Sequence, residues 1–170
     1  TNAIALLMSA ARETQSEPLF RRAAELALQS RSGQRALSVA KEWSASFPES
    51  REANRFALQT LVMLNRVSET QDYLSQEIRT TPHASKASVY LAVAQLYARV
   101  SDKVLAAAVV EQALQPDLQD PELGPQAWST IGHMRLLAQQ NDLALQAARH
   151  AYAIDPASSA TALLALELME

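Results

Sequence analysis

Alanines and large apolar residues recur three or four positions apart along almost the whole chain. Leu91, Ala94, Leu96 and Ala98 make one such run, and Leu105, Val109 and Ala113 another. That spacing puts them on one face of a helix and predicts amphipathic helices throughout. Stretches of alternating β-branched and polar residues, the mark of a half-buried strand, do not occur. The pattern is interrupted at "QSEP", "SRSG", "FPES", "LNRVS", "TTPHAS", "RVSD", "QPDLQDPELGP", "QQND" and "DPASS". Each interruption contains Pro, Gly, Ser, Asn or Asp, which favour turns and helix N-caps. The segments between them predict about ten helices of roughly 11–16 residues. Three caps can be assigned. Ser50 caps the helix containing Glu52, Ser101 or Asp102 caps "VLAAAVVEQAL", and Asp120 precedes Pro121, which suits a first helical position.

The helices repeat as pairs. Pro48 and Pro82 are 34 residues apart, as are Ala36 and Thr70, and Trp43 and Glu77. Tyr90, Ala94, Tyr97, Ala106, Val110 and Ala113 form a third copy. Trp128, Gly132, Arg135, Ala144, Ala148 and Ala151 form a fourth, 38 residues on, with the four extra residues in the loop 115–125. The aligned columns read Phe20/Asn54/Tyr90/Trp128, then Ala24/Leu58/Ala94/Gly132, then Ala36/Thr70/Ala106/Ala144.

On these columns the chain resembles the tetratricopeptide-repeat family. Its unit of about 34 residues is a helix–turn–helix with an aromatic opening helix A, small residues on both helices and a closing proline. The span 125–156 matches best, through Trp128, Ile131, Gly132, Ala144, Ala151 and Asp155-Pro156. The span 87–120 follows, with Pro116 standing where a helix should still be finishing. Spans 17–50 and 51–84 are degenerate: Trp43 is large for its column, and Thr70 and Glu77 stand where small apolar residues belong. Arg135 replaces an expected aromatic. Residues 1–16 and 157–170 fit as a helix of a preceding and of a following unit. The resemblance implies an all-α fold, a right-handed α-α superhelix of antiparallel helix pairs in one solenoid segment over 1–170. Small residues should let helices A and B approach, with large ones reaching the next pair. The chain begins at Thr1 inside an apolar pattern and ends within another, as expected of a segment cut from a longer protein.

In the resembled family helices A line a concave face that holds a protein or peptide. Carried over, that face comprises Arg21, Arg22 and Glu25; Arg55, Phe56, Gln59 and Met63; Leu91, Gln95 and Arg99; Ser129, Thr130, His133 and Leu137. It mixes hydrogen-bonding groups with apolar patches, as peptide grooves do. One variant of the family clamps a terminal carboxylate with Lys, Asn and Arg in successive helices A. Arg55 and Gln59 echo that spacing, but Leu91 occupies the next polar place and Glu25 brings a negative charge.

Composition narrows the classes. Hydrophobic residues make up 48% and charged residues 19%, which is the balance of a folded chain. Only 3 glycines occur among abundant Ala and Leu, which favours helix. The net charge is −3: ten Lys or Arg face nine acids in the first 80 residues, and five face nine in the last 90. No basic cluster of the kind nucleic acid requires is present, so no nucleic-acid partner is expected. Cysteine is absent, which excludes disulfides and thiolate metal sites and fits cytoplasm and periplasm equally. No apolar run approaches the roughly 20 residues of a membrane span, so no membrane insertion is expected. His83, His133 and His150 lie in different units; His83 sits in a loop beside Pro82, and His133 and His150, 17 apart on different helices, lack carboxylates at i+3 or i+4, so neither a metal nor another cofactor is expected. "SASFPES" and "PASS" read as capping serines without the strand–turn–helix setting of a nucleophile. Asp117, Asp120 and Glu122 read as a capped linker rather than a calcium loop. The expected function is an interaction module with a protein or peptide partner, not an enzyme. The alternative is a structural or self-association element, with a homodimer formed through solenoid ends.

Overall fold

The computed structural model describes residues 2–170. Among these the chain forms ten α-helices and no strand: α1 (Asn2–Thr14), α2 (Glu17–Gln29), α3 (Gly33–Ser46), α4 (Arg51–Met63), α5 (Gln71–Thr80), α6 (Lys86–Tyr97), α7 (Lys103–Leu114), α8 (Leu123–Leu137), α9 (Asn141–Ile154) and α10 (Ser159–Glu167). Short 3-10 turns precede α5 and α6 and follow α7. The fold is all-α, built of helices joined by short turns. The chain divides into two compact units, residues 1–66 and 67–170. The division falls within the span 51–84, between α4 and α5.

In the first unit α1 packs on α2, α2 on α3 and α3 on α4. Phe20, Ala23, Ala24 and Ala27 of α2 meet Ile4, Met8 and Ala11 of α1 and Ala36, Val39 and Trp43 of α3 in one apolar core. Trp43, large for its column, is fully buried there. Its indole N–H donates to Glu17 at 3.0 Å, and its ring lies 5.9 Å from that of Phe56. Phe20 meets Phe47 edge-on at the end of its own hairpin.

In the second unit α5 packs on α7, α6 and α7 on α8, α8 most extensively on α9, and α10 on both α8 and α9. Ala144, Ala147 and Ala151 bring α9 close to α8. Tyr90 and Tyr97 of α6 are fully buried. The departures from the repeat columns carry polar partners. Tyr97 donates to the buried hydroxyl of Thr70 at 2.7 Å, and Thr70 in turn donates to the Val67 carbonyl. Arg135, in the place of an aromatic, donates to Glu111 of α7 at 2.6 Å and to Gln140 at 2.8 Å.

Two expectations are corrected. Gly132 serves the approach of the next A-type helix: a Cβ there would lie 2.5 Å from Leu164 of α10. Pro121 does not open α8, which begins at Leu123 after a turn. Asp120 is not its N-cap, which is Glu122, but its side chain accepts the N–H groups of Glu122 and Leu123 at 2.8 Å each where the helix starts. The other caps act as expected: Ser50 accepts from Ala53 N, and Asp102 from Leu105 N.

Candidate functional site

The side chains expected on the binding face fall into both units. In the first, Arg21 of α2 makes a two-pronged ion pair with Glu52 of α4 at 2.7 and 2.5 Å. The hydrogen bond holds the Glu52 carboxyl below the usual carboxylate range and raises the Arg21 guanidinium. Arg22 pairs with Glu25 along α2 at 3.0 Å. Arg55 and Gln59 are exposed on α4. Phe56 is half-buried against Trp43, so most of it belongs to the core. Met63 is exposed and borders a shallow hollow with Leu28 and Gly33 at the α2–α3 turn.

The second unit brings its candidates together. A groove of about 290 Å³ runs between α6, α8 and α10. One wall is Leu91, Ala94, Gln95 and Ala98. The floor is Gln126, Ser129, Thr130 and His133 of α8, and the opposite wall is Ala160, Leu163 and Glu167 of α10. Every third or fourth residue of α6 faces the groove because 3.6 residues complete a turn. Leu91 and Leu163 are 62% and 60% exposed, so the groove offers aliphatic surface to a guest.

Its polar groups are placed from below. Ser129 donates to the Ala160 carbonyl at 3.0 Å, and Thr130 to the Gln126 carbonyl of its own helix. His133 Nδ1 lies 2.8 Å from Glu167 Oε2. The pairs Ser129–Ala160 and His133–Glu167 occur in the same order along both helices, so α8 and α10 run parallel. Leu137 is partly exposed beyond the groove, and Arg99 is exposed just past the end of α6.

Sequence reasoning missed Ala94, Ala98, Gln126, Ala160, Leu163 and Glu167 as groove residues. Gln126 lies one turn before Thr130, and a strict helical count would have found it. The α10 residues were absent because the binding face was drawn only from the four full repeats. Two histidines meet carboxylates that lie far from them along the chain. His83 Nε2 is 3.1 Å from Asp120, 37 positions away, and His133 meets Glu167. His150 stacks on Trp128 with ring centroids 4.2 Å apart. Among the described residues no group of three potential ligands could hold a metal ion, and no helix is long and apolar enough to cross a membrane.

The acidic loop is structural at one position and partly so at another. Asp117 is buried and accepts from Lys86 at 2.9 Å and from the Tyr90 hydroxyl at 2.5 Å. Burial, then this hydrogen bond, raises the Tyr90 phenol well above its usual range. Asp120 is held below the usual carboxylate range, chiefly by the Leu123 N–H. Tyr90, Asp117 and Asp120 do not line the groove; the Lys86–Asp117–Tyr90 contacts tie the start of α6 to the turn after α7.

No family model and no curated protein matches this chain. Among solved structures, the crystal structure of PilW, described as a widely conserved type IV pilus biogenesis factor, is similar at 18% identity with a TM-score of 0.47. That alignment covers 96% of this chain and 74% of PilW.

Proposed function

We propose that this chain is a protein-interaction module of tetratricopeptide type that holds a segment of a partner protein in the groove of α6, α8 and α10. The observation that carries the reading is the convergence of Leu91, Gln95, Ser129 and His133 on one groove with exposed Leu163 opposite. Aliphatic surface supplies the burial that drives association. The Gln95 and Gln126 amides both donate and accept, which suits a peptide backbone. Carboxylate clamping has no support in this groove, whose lining contains no lysine or arginine. Catalysis has no support either, because the Ser129 hydroxyl donates to the Ala160 carbonyl rather than to His133.

The absence of cysteine gives a direct test. A photo-crosslinker is attached to Gln95→Cys in the groove or to Gln112→Cys on the exposed side of α7. The reading expects adducts with a partner protein from the Gln95 position only. The same adducts from both positions would show that the groove is not the contact surface.

One observation favours a second reading, self-association. Leu163, Leu166 and Met169 at and beyond α10 are 60%, 60% and 83% exposed. Leu166 occupies the column of Ala24, Leu58 and Ala94, which are buried in the complete pairs. A Leu166→Gln, Met169→Gln variant that turns a dimer into a monomer in light scattering would support that reading, and a wild-type monomer at all concentrations would remove it.

A further inference from the structure

We propose that the guest of this groove is an extended segment bearing a basic side chain, Lys or Arg, next to an aliphatic one. This deepens the groove reading and rests on it. The only permanently charged residue in the lining is Glu167. His133 contacts its Oε2, and a carboxylate accepts several donors, so Oε1 can receive an incoming N–H.

The surroundings reinforce the same sign. Glu167 is the last residue of α10, and the parallel α8 ends one turn beyond His133. The unsatisfied carbonyls at helix C-termini carry partial negative charge and favour cations. At the end of α6 that charge is already met: Lys103 donates to the Ala98 carbonyl, and Arg99 follows. In the last turn of α8 the guanidinium of Arg135 is directed to Glu111 and Gln140 instead. Lys86 is committed to Asp117. Among the described residues, the ends of the groove helices at which no Lys or Arg side chain is directed therefore lie between α8 and α10, beside Glu167.

The charge of the whole unit agrees. Residues 67–170 carry six Lys or Arg against twelve Asp or Glu, a net of −6, whereas residues 1–66 carry nine against six, a net of +3. A field of that sign attracts basic segments and repels acidic ones before contact. Leu91 and Leu163 then supply the aliphatic subsite adjacent to the charge.

The experiment is selection from a random displayed peptide library on the full chain, repeated on Glu167→Gln and on Leu91→Ser, Leu163→Ser. The expected result is wild-type binders with Lys or Arg beside Leu, Ile or Val. Glu167→Gln should weaken the best peptide about fivefold, the upper range for an exposed ion pair. Replacing the peptide's basic residue by Gln should cost the same factor, and combining the two changes should cost no more. Binders that are lost in the double leucine variant yet show no basic preference would overturn this inference and leave the groove standing. Binders unaffected by the leucine changes would overturn both.

Discussion

Gly132 and Gly33 look alike in the sequence but differ in what a methyl group would meet. At Gly132 the intruding atom belongs to Leu164, which is fully buried and has no room to turn away. A Gly132→Ala change gains about 1 kcal/mol of helix propensity and loses about 1–3 kcal/mol to overpacking. The prediction is a net loss, seen as a lower urea midpoint. At Gly33 the neighbour is the end of the half-buried Leu64 side chain, which can swing outward, so Gly33→Ala should be neutral or stabilising. The buried phenols give a pH signature. Burial pushes Tyr97 up to about 12 and raises Tyr90 further in the same direction. Both folded values lie above the unfolded value near 10, so the folded state holds these protons more tightly. The resulting stability is complete below pH 10 and is lost as pH rises toward 12. Tyr97→Phe should flatten that alkaline fall in urea titrations, and cost about 1 kcal/mol at pH 7 through the lost bond to Thr70. Asp117→Asn strands the mostly buried Lys86 and should cost about 3 kcal/mol, with much of that recovered in the triple variant Lys86→Met, Tyr90→Phe, Asp117→Leu, which leaves no buried polar group of this network unpaired.

Individual helices end with a feature the composition conceals. Gln15, Arg31, Asn65 and Gln139 have φ of 49°, 53°, 58° and 59°, in the left-handed region where glycine is favoured. After each, a backbone N–H reaches back five residues: Ser16 to Ala11, Ser32 to Ala27, Arg66 to Leu61 and Gln140 to Arg135. Four helix ends are thus closed without glycine. Arg31→Gly and Gln139→Gly should each raise stability by about 0.5–1 kcal/mol, read from thermal or urea unfolding. At this scale much was legible. Apolar spacing located the helices, and "SRSG", "LNRVS" and "QQND" located the turns. Turn position follows from breaking the apolar pattern, whereas the left-handed geometry at Arg31 and Gln139 follows from the six-residue hydrogen-bonded loop and has no residue signature there. The oddities Trp43, Thr70 and Arg135 were visible as departures from their columns. What satisfies them was not, because Glu17, Tyr97 and Glu111 lie 24 to 27 positions away and meet them only after the helices pack.

The two units differ in charge, at +3 and −6, and in what they expose. In the unit of residues 67–170, Leu91, Gln95, Ser129, Thr130 and His133 of the expected partner face line one groove, whereas Arg99 and Leu137 stand outside it. Its opposite wall, α10, escaped notice because the binding face came only from the spans 17–50, 51–84, 87–120 and 125–156, and α10 lies beyond them. Placing the guest there, and making it basic and aliphatic, is the claim on which the functional account turns. The most direct measurement is amide and methyl chemical-shift mapping of the full chain titrated with the best selected peptide. The account predicts the largest shifts at Gln95, Ser129, His133 and the Leu91 and Leu163 methyls. Shifts concentrated on Val104, Leu145 and Tyr152 of α7 and α9, with those groove signals unmoved, would contradict it.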